Sequence, residues 1–149
     1  MRAEPDYCQP PMPQMLRQLR EVFEVLLRGS LGSTQTAGTC LYAALFLWES
    51  LTHFVPGCRS YVRGGAGGRD GGCRDRDGIF RGHYWLEVHL PDGRIGAADI
   101  TADQFGYPAV VWLEGADRLL RYAPGNQSIV DDHLAELRAE CETVSVGSE

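Results

Sequence analysis

The chain lacks the surplus of basic residues that nucleic-acid binding requires. Its 14 Lys and Arg residues are outnumbered by 20 Asp and Glu residues, which gives a formal net charge of −6. Nucleic-acid-binding proteins usually carry a basic patch or stripe. The arginines that do cluster, in residues 63–81, are interleaved with Asp70, Asp75 and Asp77 and indicate a solvated loop. We therefore expect no nucleic-acid partner.

The chain also has no apolar run long enough to span a bilayer. The longest such run, Leu41–Trp48, is well short of the roughly 18 residues that a membrane helix needs. Residues 1–13 contain Glu4, Asp6 and four prolines, and no apolar core of a secretory signal. We expect no membrane association and a cytoplasmic location; a protein exported without a cleaved signal would have the same features.

Closely spaced cysteine pairs are missing as well. The five cysteines, Cys8, Cys40, Cys58, Cys73 and Cys141, form no C-x-x-C motif, which argues against a zinc ribbon or a thioredoxin-like site. Spacing alone would allow a disulfide between Cys58 and Cys73, but a reducing compartment does not favour one.

Acidic residues are the remaining candidates for metal ligands. Asp70, Asp75 and Asp77 lie in a glycine-rich stretch, yet their spacing does not match a calcium-binding loop and no bidentate glutamate follows at the right place. We therefore expect no metal and no cofactor.

The hydrophobic pattern predicts a single α+β domain. Residues 1–13 are expected to be extended or disordered, and residues 14–149 suffice for one domain with its own core. Helical periodicity and alternating apolar residues predict helices at about 13–28, 40–53 and 128–141 and strands at about 59–63, 83–89, 94–99 and 109–113, with residues 116–127 irregular. Helices followed by an antiparallel sheet are typical of the α+β class.

The stretch Gly64–Gly78 contains seven glycines and almost nothing apolar. Such a composition predicts a mobile loop. Because the stretch directly precedes the first strand of a predicted hairpin, we also consider it as a lid over a substrate cleft.

That hairpin, in residues 82–103, contains the first catalytic candidates. A turn at Pro91-Asp92-Gly93 would bring His83, near the start of one strand, next to Asp99, at the end of the other. A histidine oriented by a carboxylate is a general base. His89 and Asp103 are the alternatives, but His89 lies at the turn end of the hairpin and Asp103 lies beyond the strand.

The candidate nucleophile is Cys40. A glycine- and threonine-rich loop precedes it, Thr39 is the expected N-cap, and an apolar helix follows. At a helix start, unpaired backbone N–H groups and the helix dipole favour a thiolate and can hold an oxyanion. Elsewhere in helices, a cysteine is more often a small buried apolar residue.

These segments together resemble a known family. Gly-Thr-Cys before an apolar helix, then His-x-Trp-x-Glu-Val, then Asp-Gly-Arg-Ile and Asp-x-Thr, are similar to the transglutaminase-like branch of the papain-like cysteine hydrolases. The resemblance covers about residues 38–103. It implies a papain-like core in which the nucleophile opens a central helix packed on an antiparallel sheet. It also implies a Cys-His-Asp triad made of Cys40, His83 and Asp99.

The same resemblance implies a mechanism and two further roles. The thiolate would attack a peptide bond or a glutamine carboxamide of a peptide or protein substrate, and the resulting thioester would pass its acyl group to water or to an amine. Gln35 would complete the oxyanion site, and Trp85 would line the cleft; an exposed loop glutamine and a core tryptophan are the ordinary interpretations. Glu87 would be a neighbour of the triad or, more simply, a solvated strand residue.

Two other hypotheses remain. The first is a binding or scaffold domain that keeps the transglutaminase-like fold without activity. The second is a non-catalytic α+β protein in which Cys40 is buried and unreactive.

Overall fold

A computed structural model describes residues 11–31 and 38–146. Its helices are α1 (Met12–Leu31), α2 (Cys40–Phe54), α3 (Gly115–Arg121) and α4 (Gln127–Val146). Its strands are β1 (Arg59–Gly67), β2 (Gly72–Arg74), β3 (Phe80–His89), β4 (Ile95–Asp99), β5 (Val111–Glu114) and β6 (Tyr122–Ala123), with 3-10 turns at Gly68–Asp70 and Ala102–Phe105. The fold is α+β, with four helices and one antiparallel, curled sheet. None of the helices in these two ranges is long and apolar enough to cross a membrane.

Strand β3 is the centre of the sheet. One of its edges pairs with β1 along most of its length. Arg81 pairs with both β1 and β2, and Leu86 pairs with both β1 and β4. Because a strand has only two edges, β2 and β4 must share the edge opposite β1. Residues 82–85 of β3 therefore lie where this second edge passes from β2 to β4.

Both faces of the sheet are covered, which explains why β3 is buried or half-buried from His83 to His89. The larger core lies between the sheet and helices α1, α2 and α4; its buried residues include Leu16, Phe23, Leu47, Leu51, Leu86, Val88, Ala98, Ile100 and Val130. A smaller core forms on the opposite face around Cys73, Trp85, Ala97, Ala102, Val111 and Tyr122. Alternate residues of β3 and β4 contribute to the two cores, as the two-residue period of a strand requires.

The predicted elements are found with shifted ends. Helix α1 begins at Met12, so the last two residues of the segment predicted to be extended are helical; residues 1–10 lie outside the described ranges. The prediction of an irregular segment at 116–127 is wrong, because α3 and β6 occupy most of it. Arg118 of α3 donates to the buried carboxylate of Glu87, a long-range contact that local periodicity does not reveal.

The prediction of a mobile loop at Gly64–Gly78 is also wrong for most of that stretch. Strand β1 continues to Gly67, and β2 pairs with both β3 and β6. The carboxylate of Asp70 accepts hydrogen bonds from the backbone N–H groups of Ala66 and Asn126 at 2.8 and 3.1 Å. The stretch is part of the sheet, and nothing in its placement supports a lid.

The glycines of this stretch allow backbones to approach one another closely. Gly71 has a φ of +86°, and a Cβ atom there would lie 2.2 Å from the carbonyl oxygen of Ala123. Gly72 has a φ of +117°, and its Cβ would lie 2.0 Å from the carbonyl oxygen of Arg81. Both separations are far below van der Waals contact, so any side chain would push β2 away from its two neighbours.

Replacing Gly71 with alanine should therefore destabilise the protein by about 2 kcal/mol or more, because a steric clash adds to the backbone strain. Gly78 is the matched control: its φ is +83°, but a Cβ there meets nothing within 4 Å. Gly78→Ala should cost only the strain of about 1–2 kcal/mol. Chemical denaturation of both variants measures the difference, and equal losses would mean that close packing at Gly71 contributes nothing.

Candidate active site

Cys40 is the first residue of α2, as the sequence predicts. The carbonyl of Thr39 accepts the first helical hydrogen bond, from the N–H of Ala43 at 2.9 Å. Ala43 and Ala44 pack into the larger core, and this packing holds α2 against the sheet. Cys40 itself is only partly buried. Its position leaves the N–H groups of the first helical turn without intrahelical acceptors, as at any helix start.

The hairpin β3–β4 places the histidine and the carboxylate. Its turn is closed by hydrogen bonds between Leu90 and Arg94 and between Gly93 and Leu90, as the Pro-Asp-Gly sequence predicts. The register pairs Leu86 with Ala98. One step further along, Asp99 lies opposite Trp85, so His83 is its diagonal neighbour on the same face of the sheet.

This diagonal contact is a hydrogen bond. Nε2 of His83 lies 2.8 Å from Oδ2 of Asp99, and both side chains are almost completely buried. Burial alone would raise the pKa of Asp99. The charge and hydrogen bond of His83, together with hydrogen bonds from Thr101 and Tyr122, lower it below its usual value. Asp99 is therefore a carboxylate at neutral pH.

Asp99 also closes the turn that follows it. Its Oδ1 accepts hydrogen bonds from the backbone N–H of Thr101 at 2.9 Å and from the hydroxyl of Thr101 at 3.3 Å. Asp99 therefore has two roles, one for each carboxylate oxygen. Oδ1 starts the turn, as an Asp-x-Thr sequence suggests, and Oδ2 orients His83.

His83 interacts with Cys40 as well as with Asp99. Burial alone would lower the pKa of His83, but the charge and hydrogen bond of Asp99, with a smaller contribution from Cys40, raise it to about 9. Nε2 is engaged by Asp99, which leaves Nδ1 as the ring nitrogen available to the thiol. Cys40 lies close enough to the ring to raise its pKa through a hydrogen bond and through its charge. Nδ1 itself is buried and makes no hydrogen bond of standard geometry among the described residues.

The other described cysteines lack this setting. Burial raises the pKa of the Cys58 thiol and, together with the charge of Asp99, raises that of Cys73 to about 12. Cys141 is exposed on α4. Cys40, Cys58, Cys73 and Cys141 are all free thiols, so the disulfide that spacing alone would allow between Cys58 and Cys73 is not present.

The two alternative residues are engaged elsewhere. His89 lies at the turn end of β3 and forms an ion pair of 2.9 Å with Glu87. Asp103 accepts hydrogen bonds from the guanidinium of Arg20 at 3.2 and 3.3 Å. Because other side chains hold His89 and Asp103, the structure favours His83 and Asp99 over these two alternatives.

Two of the accessory predictions need correction. Trp85 is only 3% exposed and packs against Tyr122 in the smaller core, so it is not available to line a cleft in this structure. Glu87 is buried rather than solvated, and it pairs with Arg63 at 2.9 Å and with Arg118 at 3.3 Å. Gln35, the predicted oxyanion donor, lies outside the described ranges.

The carboxylates of the glycine-rich stretch accept hydrogen bonds from backbone N–H groups and from an arginine. Asp75 accepts hydrogen bonds from the N–H groups of Asp77 and Ile79 and from Arg81. Across the described residues, no group of three or more His, Cys, Asp or Glu side chains is placed to hold a metal ion.

Comparison of the chain with protein-family models, with curated proteins and with solved structures found no match.

Tyr122 is the site residue that the sequence analysis missed. Its hydroxyl donates to Oδ2 of Asp99 at 2.8 Å, although it lies 23 positions further along the chain. The segment around it, Leu120–Gly125, carries no motif and no strand-like alternation, so no local signal identifies it.

The buried pair predicts a specific dependence of stability on pH. The pKa of His83 is raised from 6.5 to about 9, so the folded state holds its proton more tightly than the unfolded state. This contribution to stability is fully present below pH 6.5 and is lost as the pH rises through about 9. His83→Gln keeps a donor for Asp99 but does not titrate, so its stability should decline less between these two pH values.

Urea denaturation at pH 6 and pH 9.5 measures this decline in the wild type and in His83→Gln. His53→Gln, at an exposed position in α2, is the matched control and should keep the wild-type decline. Equal declines in all three proteins would contradict a proton held by His83.

Proposed function

We propose that this chain is a cysteine-dependent hydrolase or acyltransferase that acts on amide bonds of a peptide or protein through Cys40, His83 and Asp99. The observation that carries the proposal is the buried hydrogen bond of 2.8 Å between His83 and Asp99, with Cys40 interacting with the same imidazole from the start of α2. Nucleophile, base and orienting carboxylate are the three parts of this chemistry.

The protonation of the site supports a thiolate–imidazolium resting state. His83 is protonated at neutral pH because its pKa is raised to about 9. A neighbouring cation and a helix N-terminus are the settings in which reactive thiolates occur in proteins. Asp99 holds the Nε2–H end of the ring, which leaves Nδ1–H as the proton that His83 can give to the reacting groups.

The chemical steps follow from this arrangement. The Cys40 thiolate attacks the carbonyl carbon of the substrate amide, the carbon–nitrogen bond breaks, and the leaving amine or ammonia takes the proton from His83. A thioester remains on Cys40. His83, now neutral, accepts a proton from water or from an amine as that group attacks the thioester, and the carboxylic acid or the new amide leaves as the thiolate is restored.

The N-terminal turn of α2 supplies part of an oxyanion site. The backbone N–H of Cys40 has no intrahelical acceptor and lies beside the reacting sulfur. Gln35, five residues upstream, remains the proposed side-chain donor. A nucleophile at the start of a helix packed on an antiparallel sheet supports a papain-like, transglutaminase-like core.

Alkylation of Cys40 tests the resting state. At pH 6, iodoacetamide should label Cys40 roughly tenfold faster or more than the exposed Cys141, because only a thiolate reacts. His83→Ala should remove this advantage, and mass spectrometry assigns the labelled sites. If Cys40 instead reacts no faster than Cys141, or only after unfolding, the nucleophile is wrongly assigned and an inactive scaffold domain becomes the better interpretation.

Product analysis separates the two reaction types. The sequence contains no lysine, so the protein offers no side-chain amine of its own that would compete as an acyl acceptor. With a pool of glutamine-containing peptides, a deamidase should release ammonia with or without an added primary amine. A transglutaminase should attach that amine to the peptide, whereas a protease should create new peptide amino termini.

Cys40→Ser should reduce any of these activities by about 10³-fold or more, as removal of a nucleophile does in other triads. Cys141→Ser is the matched control and should leave them unchanged. Activity that persists in Cys40→Ser would show that the chemistry lies elsewhere.

A further inference from the structure

Tyr122 shares its hydrogen-bond acceptor with the catalytic histidine. Its hydroxyl donates to Oδ2 of Asp99 at 2.8 Å, and Nε2 of His83 donates to the same oxygen at the same distance. Tyr122 is 1% exposed, so water does not compete for this contact. Burial and the charge of Asp99 raise the pKa of Tyr122 well above its usual value, which keeps the hydroxyl protonated and able to donate.

The surroundings of Tyr122 hold the ring in place. It packs against Trp85 with a distance of 5.2 Å between ring centroids, and it pairs with Cys73 across strands β6 and β2. Strand β6 is only two residues long. A strand this short does not fix the position of a side chain without further support.

That support comes from the glycine-rich stretch. Directly after β6, the N–H of Gly125 donates to the carbonyl of Gly64 at 2.8 Å. A Cβ at Gly125 would lie 2.0 Å from the carbonyl oxygen of Asp70, and one at Gly71 would lie 2.2 Å from that of Ala123. The chain on the C-terminal side of Tyr122 is thus clamped between backbone atoms of residues 64–71, an approach that only glycine permits.

We propose that Tyr122 is a positioning residue of the triad, and that the glycine-rich stretch serves to bring it to Asp99. Its catalytic consequence rests on the function proposed above. Tyr122 adds a second donor to Oδ2 of Asp99, beside His83, while Thr101 holds Oδ1. The carboxylate cannot rotate away from His83 without breaking at least one buried hydrogen bond, and the imidazole is held in the same orientation.

Tyr122→Phe tests the proposal, because it removes the hydroxyl and keeps the ring. The readout is the Nε2–H proton of His83, observed by nuclear magnetic resonance together with its exchange with water. In Tyr122→Phe this exchange should accelerate about tenfold or more, because Oδ2 loses one of its two donors and the pair opens more often. A tyrosine that served only as packing would leave the resonance and its exchange unchanged, and that result would overturn the proposal.

Tyr107→Phe is the matched control. Its hydroxyl donates to the carbonyl of Arg74 at 2.6 Å, in β2, but does not touch Asp99. This variant loses a hydroxyl from the same region and should leave the His83 proton unaffected. If both variants change it equally, the effect is general loosening of the sheet, and the proposal fails.

A second measurement applies even if Tyr122→Phe does not fold. The full chain can be produced with 3-fluorotyrosine in place of tyrosine, which makes each hydroxyl a stronger donor with little change of shape. Among the described tyrosines, Tyr122 is the one whose hydroxyl bonds to Asp99. The Nε2–H resonance of His83 should shift in the fluorinated protein, and an unshifted resonance would overturn the proposal.

The two proposals fail in different ways. If Cys40 is alkylated slowly while the exchange of the His83 proton accelerates in Tyr122→Phe, the catalytic function is wrong and the positioning role stands. If Cys40 is alkylated rapidly and the exchange of the His83 proton is unchanged in Tyr122→Phe, the function stands and Tyr122 is a core residue. Where both hold, Tyr122→Phe should also slow Cys40 alkylation at pH 6 several-fold.

Discussion

The hydrogen bond between His83 and Asp99 is the contact on which the rest of the site depends. Two ionised groups are almost completely buried, and an isolated buried charge is strongly unfavourable. The structure compensates with a neighbouring opposite charge and with hydrogen bonds to the remaining carboxylate lone pairs. Strand β6 supplies the hydroxyl of Tyr122, and the Asp-x-Thr turn supplies the N–H and the hydroxyl of Thr101. Removing either partner would leave the other without its opposite charge, which is costly for a buried group.

The features that the sequence predicted well are those that depend on residues close together along the chain. The start of α2 at Cys40, the Pro-Asp-Gly turn and the placement of His83 near Asp99 each involve at most about 17 consecutive residues. Their signals are a helix-start composition, a turn sequence and an alternating strand, all of which act locally. The α+β class followed from the order of these elements.

The features that the sequence did not predict depend on contacts between distant segments. A glycine-rich composition predicts mobility, but at Gly71 and Gly72 glycine permits close packing of strands. A glycine-rich composition is compatible with a mobile loop and with closely packed strands. Only the position of the neighbouring backbone distinguishes the two. Glu87 was expected to be solvated, yet arginines from β1 and α3 cover it. Trp85 was assigned to a cleft, whereas the ring of Tyr122 covers it.

The spacing of the site along the chain also has a consequence for the order of folding. His83 and Asp99 meet within one hairpin, which closes a short loop and is entropically inexpensive. Cys40 and Tyr122 join them only when α2 docks and when β6 pairs with β2, both of which are long-range events. A partly folded chain would thus contain the contact between His83 and Asp99 before Cys40 and Tyr122 were in place. If the function proposed above holds, the three groups of the site come together only after α2 has docked on the sheet.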